Sequence, residues 1–357
     1  MTGGDRSDAR TSVTATTRTD GKRRDVRRLP KAHLHLHFTG AMRHSTLLEL
    51  ADLHGIRLPD ALQSPVPPQL RATDERGWFR FQRLYDAARS VLRTPADVHR
   101  LLHEAAADER SDGSGWLEIQ VEPTTYAQRL GGLTRTVELI LAAARDATAA
   151  TGVGIGVIVA ANRTRHPLDA RTLARLAAQY VDRGVVGFGL SNDERRGRAG
   201  DFERAFGIAR RAGLDAMPHG GELAGPESVR DCLDRLGARR VGHGVRATED
   251  PALIERIAAA GVVLEVCPTS NVAMGVYDKP ADVPLPVLRD SGVRIALGAD
   301  DPLLFGERVA AQYALVRDVF GISDDELAQL ATESVLGSRA PETLKAELLA
   351  GITAWLT

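Results

Sequence analysis

The stretch HLHLHFTG, His33–Gly40, combines an extended β pattern with three histidines and a closing glycine. Because successive side chains of a β-strand point to opposite faces, His33, His35 and His37 share one face and the two leucines between them occupy the other. Imidazoles buried side by side need polar partners, since an unpaired polar group is costly to remove from water. The stretch therefore predicts a strand that carries a polar site.

Seven further short apolar runs follow this strand, separated by amphipathic sequence. Helical segments such as TLARLAAQYVDRG and PALIERIAAAG end in glycine, as helix C-termini commonly do. The eight strand candidates are residues 31–37, 115–122, 152–161, 184–191, 214–220, 239–244, 261–268 and 293–300. Strand followed by helix, repeated eight times, predicts an α/β fold of the (β/α)8 TIM barrel type, with a doubly wound open sheet as the alternative.

Three segments lie outside this repeat. Residues 1–28 contain almost nothing apolar and predict a disordered N-terminal tail, which leaves residues 29–357 as a single domain. After the first strand candidate, the proline-rich stretch 58–70 precedes helical sequence rich in aromatic residues, as expected for a helical lid over the barrel mouth. Beyond Pro302 the sequence predicts two or three more helices.

Composition limits the partners and the compartment. A formal charge of -1 gives no reason to expect nucleic acid or an anionic membrane as a partner. No apolar run is long enough to span a membrane, and the polar N-terminus lacks the apolar core of a signal peptide, so we expect a cytoplasmic protein. With only two cysteines, a metal ion would have to use nitrogen and oxygen ligands.

Five candidate nitrogen and oxygen ligands lie at or near the carboxyl ends of strand candidates, where barrel enzymes carry their catalytic residues. They are His35, His37, His219, His243 and Asp300. Each alone has an ordinary structural explanation, such as a hydrogen-bonded histidine or an aspartate that begins a helix. Together around one barrel mouth they favour a Zn²⁺ site, with Fe²⁺ or Mn²⁺ as alternatives.

The motifs LPKAHLHLHFTG, HGGE, GHG, CPTSN and ADDP, in this order, resemble those of the adenosine deaminase family of zinc-dependent (β/α)8 hydrolases. The resemblance extends from Leu29 to the C-terminus. It implies hydrolytic deamination of a 6-aminopurine nucleoside to the 6-oxo product and ammonia, with one Zn²⁺ per chain. The metal ligands that it implies are His35, His37, His219 and Asp300.

The same resemblance implies roles beside the metal. Glu222 would protonate the purine ring, His243 would orient or deprotonate the attacking water, and Asp301 would accept a hydrogen bond associated with ring N7. Ring protonation requires a carboxylic acid that burial or a neighbouring anion keeps neutral. Gly221, in HGGE, would let the backbone approach a flat ligand closely.

Three positions depart from the family pattern. His33 replaces the usual glutamate and is expected to lie one layer below the metal. Thr39 stands where an aspartate usually binds the nucleoside 5′-hydroxyl, and Asn192 stands where a glycine offers its amide to purine N3. The absence of lysine between Lys31 and Lys279 argues against two metals bridged by a carboxylated lysine, as in many related barrel hydrolases.

Loss of the acidic clamp and retention of an aromatic lid favour a substrate whose 5′ position is not a free hydroxyl. Phe81 is the lid residue expected to contact it, and Arg43, Arg80 or Arg89 could reach a carboxylate. Aminodeoxyfutalosine, an adenine nucleoside with a carboxyphenyl extension that some family members deaminate in menaquinone synthesis, fits these features. The alternatives are adenosine deamination in purine salvage and a catalytically silent metal-binding or growth-factor-like barrel. Free adenine is less favoured, because it would leave the lid surface unused.

Overall fold

The computed structural model describes residues 23–68 and 70–357. In these residues eight parallel strands form one sheet in sequence order, and a bridge between Leu36 and Asp300 joins the first strand to the residues that follow the last. The strands are β1 Lys31–His37, β2 Ser114–Val121, β3 Gly154–Asn162, β4 Val185–Ser191, β5 Asp215–Gly220, β6 Arg240–His243, β7 Val263–Val266 and β8 Arg294–Leu297. All eight predicted strands are confirmed, and the fold is the predicted near-closed TIM barrel rather than an open sheet.

The strands are apolar because both of their faces are covered, one by the barrel interior and the other by helices. Strand β3, GIGVIVAAN, pairs with β2 without a break in register from Trp116 opposite Gly154 to Val121 opposite Val159. Parallel pairing of this kind brings the carboxyl ends of the strands to one end of the barrel. Residues that are far apart in the sequence therefore meet at that mouth.

Sixteen α-helices surround the sheet within the described residues. They are α1 His44–Leu53, α2 Asp60–Gln63, α3 Glu75–Arg89, α4 Pro95–Ser111, α5 Ala127–Leu130, α6 Leu133–Thr151, α7 Pro167–Ala178, α8 Glu203–Arg211, α9 Pro226–Asp231, α10 Pro251–Ala260, α11 Pro268–Ala273, α12 Leu285–Asp290, α13 Pro302–Phe305, α14 Val309–Phe320, α15 Asp324–Gly337 and α16 Glu342–Leu356. The helix predicted from PALIERIAAAG is α10, which ends at Gly261 in the left-handed conformation. Among the described helices, none has the length and apolar character needed to cross a membrane.

The insertion after β1 covers the barrel mouth, as predicted. Helix α3 contributes aromatic side chains to the wall of the central cavity. The segment before this helix is attached to the end of α11, since the Arg71 amide donates to the Ala273 carbonyl (3.1 Å) and the Ala72 amide to the Met274 carbonyl (2.6 Å). After α13, helices α14 to α16 account for the predicted C-terminal helices.

The predicted N-terminal tail lies mostly outside the described residues, which begin at residue 23. Its last residues correct the prediction, because Val26–Arg28 forms a 3₁₀ turn with Val26 buried. The indole Nε1 of Trp355 in α16 donates to the Asp25 carbonyl (3.0 Å). The folded domain therefore includes residues before position 29, because contacts with the C-terminal helix offset the polar local composition.

Candidate active site

Four side chains meet at the carboxyl end of the barrel. His35 and His37 come from β1, His219 from β5, and Asp300 follows β8. One potential ligand atom from each lies within 4.8 Å of the others. Asp300 Oδ1 is 3.0 Å from His37 Nε2 and 3.4 Å from His35 Nε2, and the Nε2 atoms of His37 and His219 are 3.2 Å apart. Ligand atoms around a tetrahedral zinc ion with bonds of about 2.1 Å are separated by about 3.4 Å.

The ring of His35 tests whether these residues fit a metal ion. Its Nδ1–H donates to Glu265 Oε2 (2.7 Å), which leaves the lone pair of Nε2 pointing into the cluster. Nε2 is buried and has no hydrogen-bond partner among the described residues. A buried acceptor without a partner is costly. Three imidazoles and one carboxylate are a donor set that zinc prefers, so the residues fit a bound zinc ion.

Strained backbone marks the same region. Of the four described non-glycine residues with positive φ, three lie at the mouth: Asn192 (81°), His243 (61°) and Asp300 (62°). This conformation is uncommon outside glycine but is less unfavourable for Asn, Asp and His. Asp300 is held in it from both sides, because its amide donates to the His35 carbonyl and its carbonyl accepts from the His37 amide (both 3.0 Å). Such strain persists where surrounding contacts impose it, commonly at functional sites.

Glu222 and His243 lie beside the ligand cluster, with His243 Nε2 at 3.7 Å from Glu222 Oε1 and 3.9 Å from Asp300 Oδ2. Burial raises the pKa of the Glu222 carboxyl well above its usual range, and the charges of Asp300 and Glu194 act in the same direction. The surroundings therefore favour the protonated form of this carboxyl. Burial lowers the pKa of His243 to about 4, so its imidazole is neutral.

Asp300 also belongs to a second group of possible ligands with Glu222 and His243. Because the surroundings of Glu222 favour its protonated form, that group is the poorer cation site. The ring of His243 is further held by Asn271, whose Nδ2 donates to its Nδ1 (3.2 Å).

Asp301 lies next to the cluster and lines the cavity. Burial raises the pKa of its carboxyl to about 7, and the neighbouring charge of Asp300 acts in the same direction. Gly40 packs directly on it: a Cβ atom at this position would lie 1.9 Å from Asp301 Oδ1. The glycine that closes the first histidine motif is therefore required by the close approach of the two loops.

One cavity contains most of the predicted site residues. The predicted residues that line it are His37, His219, Glu222, His243, Asp300, Asp301, Asn192 and Phe81. Phe81 stacks on Phe305 with ring centroids 6.2 Å apart, and Asn192 Nδ2 donates to Gln82 Oε1 of the lid helix α3 (3.2 Å). His35 is buried and is not among the residues that line the cavity.

Two predicted substrate contacts are placed elsewhere. Thr39 is fully buried outside the cavity lining, and its hydroxyl pairs with that of Tyr126. Gly221 has a left-handed backbone (φ 69°), but its amide donates to Glu194 Oε1 (2.8 Å) rather than facing the cavity. Neither residue is therefore positioned to contact a ligand directly.

The three arginines proposed from the sequence as carboxylate-binding residues lie at different places relative to the cavity. Arg43 pairs with Asp108 (2.7 Å) away from the cavity, and Arg80 is exposed. Arg89, at the end of α3, lines the cavity, and its buried Nε has no hydrogen-bond partner among the described residues. Among these three side chains, Arg89 alone is placed to meet a ligand.

Sequence reasoning missed several residues that hold or line the site. Glu265 and Asn271 orient the two histidines described above, and Glu122 lines the cavity directly after β2. Thr124 Oγ1 donates to Glu122 Oε1 (2.7 Å), and burial raises the pKa of this carboxyl. Two features of the sequence could have indicated these residues. Glu122 lies at the end of a predicted strand, and Glu265 is a charged residue inside the apolar run VLEV.

His33 lies one layer below the cluster, as expected. Its Nδ1 pairs with Glu109 Oε1 (2.7 Å), and its Nε2 accepts from the Ala299 amide (3.0 Å). Lys31 Nζ is also buried but donates to backbone carbonyls, including that of Leu29 (2.6 Å). Within the described residues, no lysine lines the cavity where it could bridge two metals.

The chain was compared with known protein families and with named proteins. Residues 30–355 match the family described as adenosine deaminase. A Streptomyces virginiae protein, named provisionally as an adenosine/adenine deaminase, is 66% identical over 94% of this chain and 98% of its own length. An adenine deaminase from Agrobacterium fabrum is 36% identical over 90% of this chain and 97% of its own length.

Solved structures of related enzymes have the same fold. An adenine deaminase from Arthrobacter aurescens superposes with a TM-score of 0.84 at 30% identity, covering 92% of this chain and 99% of its own. An amidohydrolase from Burkholderia ambifaria, solved with bound zinc, superposes with a TM-score of 0.82 at 25% identity, covering 92% and 91%. The cluster of three histidines and one aspartate is therefore consistent with zinc.

Proposed function

This chain belongs to the adenosine deaminase family, and from that premise we propose that it hydrolyses the 6-amino group of an adenine ring to a 6-oxo purine and ammonia. The observation that supports this most directly is the arrangement in one cavity of a carboxyl whose pKa is raised by burial, a neutral imidazole and a zinc-type ligand set. These are the groups that addition of water to an aromatic ring requires.

The residues divide the chemistry between them. His35, His37, His219 and Asp300 would hold one zinc ion per chain, which would supply the Lewis acidity that makes water a nucleophile at neutral pH. Glu222 donates its proton to a ring nitrogen while the water oxygen bonds to C6, so that the ring accepts the electron pair. His243 orients the attacking water. Of the two protons of this water, one goes to the departing nitrogen, which leaves as ammonia, and the other restores the carboxyl of Glu222.

We further propose a substrate with a substituted 5′ position, such as aminodeoxyfutalosine. Thr39 offers no carboxylate, and its hydroxyl is already paired with Tyr126, so a free 5′-hydroxyl finds no acidic partner there. Arg89 presents a half-buried cation to the cavity, 4.7 Å from the centroid of the Tyr85 ring, and also pairs with the exposed Asp86 (3.3 Å). An aromatic carboxylate fits such a pair of groups.

Free adenine is the competing substrate, because the Agrobacterium and Arthrobacter relatives are named adenine deaminases. The buried carboxyl of Glu122 could accept a hydrogen bond from an unsubstituted ring N–H as well as from a ribose hydroxyl. The names of the relatives compared here do not refer to menaquinone synthesis.

A substrate panel tests both levels of the proposal. We would measure kcat/KM from the loss of absorbance near 265 nm for adenine, adenosine, 5′-deoxyadenosine, 5′-methylthioadenosine and aminodeoxyfutalosine, alongside zinc content per chain. We expect turnover of at least one adenine compound and the highest kcat/KM for aminodeoxyfutalosine. A tenfold preference for adenosine or adenine overturns the 5′-substituted substrate. Absence of turnover across the panel, in zinc-loaded protein, overturns the deaminase itself in favour of a silent barrel.

An Arg89→Met variant sharpens the substrate test. If Arg89 binds the carboxylate, kcat/KM falls for aminodeoxyfutalosine and stays unchanged for 5′-methylthioadenosine, which has no carboxylate. Arg80→Met, which removes an exposed arginine of the same helix, is the matched control and leaves both values unchanged.

A further inference from the structure

The side chain of Glu194 has an unusual set of partners. Glu194 lies in the 3₁₀ turn Glu194–Arg196 after β4 and is buried. It reaches residues 221–224, which we call the acid loop because they include Glu222. Its carboxylate accepts five hydrogen bonds: at Oε1 from Gly221 N (2.8 Å) and Ser228 Oγ (2.6 Å), and at Oε2 from Glu222 N (2.8 Å), Leu223 N (2.6 Å) and Ala224 N (3.0 Å).

Four consecutive amides converge on this carboxylate because Gly221 adopts a left-handed conformation that turns the loop around it. Successive backbone N–H groups of this kind form an anion-binding concavity, here filled by the chain itself. Burial alone would raise the pKa of Glu194, but Arg163, Ser228 and the loop amides more than offset it and hold the pKa below its usual range. Glu194 is therefore a fixed anion.

The turn that carries Glu194 is also attached to the lid. Arg195 Nη1 donates to the Thr73 carbonyl just before α3, and the Arg196 guanidinium lies 5.4 Å from the centroid of the Phe79 ring in α3. Glu194 itself neither lines the cavity nor belongs to the ligand cluster. Any effect it has on the reaction must pass through the residues that it holds.

We propose that Glu194 is a positioning residue, which holds the acid loop so that the carboxyl of Glu222 faces the bound ring. The inference rests on the proposed role of Glu222 as the proton donor. Without an acceptor at position 194, four buried amides have to find other partners, and the loop has to move to reach them. Since Glu222 is one of those four residues, its carboxyl moves with the loop.

Glu194→Gln tests this proposal with almost no change in shape. The amide keeps one acceptor oxygen but places an NH₂ group against donors of the loop. We expect kcat to fall about 10- to 100-fold, a part of what a general acid contributes, while KM changes by less than about threefold. Zinc content stays at one per chain. Glu227→Gln is the matched control, since Glu227 is an exposed carboxylate just beyond the same loop, and we expect no change.

Hydrogen exchange provides a readout that does not depend on turnover. In Glu194→Gln, amide exchange at residues 221–224 should become faster than in the wild type, while strand β5 keeps its protection. Ser228→Ala removes one of the five hydrogen bonds, keeps the carboxylate, and should lower kcat by about two- to fivefold. It therefore keeps the test valid if Glu194→Gln does not fold.

Three results overturn the inference: unchanged kcat in Glu194→Gln (or in Ser228→Ala if Glu194→Gln does not fold), loss of zinc in parallel with kcat, or unchanged exchange in the acid loop. Combination with Glu222→Gln separates this inference from the proposed function. If Glu194 acts through Glu222, Glu194→Gln costs little further activity in the Glu222→Gln background. Full activity of Glu222→Gln alone would overturn the proposed role of Glu222, whereas low activity of Glu222→Gln with full activity of Glu194→Gln overturns only the inference on Glu194.

Discussion

His33 and His35 project from the same face of β1 and are both buried, but their ring nitrogens have different partners. Both nitrogens of His33 are hydrogen-bonded, to Glu109 and to the Ala299 amide. His35 uses Nδ1 for Glu265 and has a lone pair on Nε2 without a protein partner among the described residues. Burial and residue type are the same in the two cases. The unpaired acceptor distinguishes the ligand from the structural histidine.

The charged residues below the barrel mouth and those at the mouth also differ in whether they are paired. Below the mouth, Arg240 pairs with Glu118 (2.5 Å) and with Glu265 (2.6 Å), so that charges are matched inside the barrel. At the mouth, no lysine or arginine among the described residues forms an ion pair with Asp300, whose partners are histidines. A matched charge network supports the fold, whereas an unmatched one is suited to bind an ion.

The largest expected effect is at His35. His35→Ala removes one ligand and should reduce zinc from one per chain to near zero, with kcat below detection. Zinc can be measured by plasma mass spectrometry after gel filtration, and thermal unfolding shows whether the fold is intact. Retention of stoichiometric zinc would mean that the unpaired Nε2 does not mark a ligand.

Glu222→Gln should have the next largest effect. The amide cannot donate a proton in the same way, so we expect kcat to fall about 10²- to 10⁴-fold. Zinc content should stay at one per chain, because Glu222 is not a ligand in the preferred group. Steady-state kinetics with metal analysis on the same sample check both statements, and full activity would contradict the assignment.

His33→Ala should affect stability more than chemistry. It leaves the buried carboxylate of Glu109 without its closest partner, so we expect a loss of about 2–4 kcal/mol in the free energy of unfolding. Urea unfolding measures this loss. Zinc content should remain near one per chain, and an empty site in a folded variant would reverse the distinction drawn between the two histidines.

The smallest expected effect is on the pH profile. Because burial lowers the pKa of His243 to about 4, the neutral imidazole persists well below pH 6.5. If His243 acts in its neutral form, its protonation should lower kcat/KM only as the pH drops through about 4, whereas a change near pH 7 belongs to Asp301, whose pKa is about 7. A buffer series that shows no fall in kcat/KM near pH 4 would contradict a neutral, catalytically active His243.

Much of the site could be predicted because the barrel converts order along the chain into position in space. Each of His35, His37, His219 and Asp300 lies at or just beyond the end of an apolar run. Parallel strands place all such ends at one mouth, so recognition of the strands was enough to bring the four residues together. A local pattern therefore predicted a long-range cluster.

Other features depend on contacts that the local pattern does not contain. Thr39 turns to Tyr126, 87 positions away, and Glu194 reaches amides 27 to 30 positions further along the chain. The ordered residues before position 29 depend on Trp355 in the last helix. In each case a hydrogen bond joins two residues that are far apart in the sequence, and neither composition nor periodicity identifies the partner.

The amino-acid order was enough to predict the barrel and the ligand types at its mouth, because hydrophobic periodicity specifies strands and helices and the histidine motifs lie at their ends. The folded arrangement was needed to show which histidine keeps a free lone pair, which predicted contacts face the cavity, and which carboxylate holds the acid loop. These outcomes depend on how each buried polar atom is paired after folding. Pairing is set by distances across the barrel rather than by neighbours in the chain.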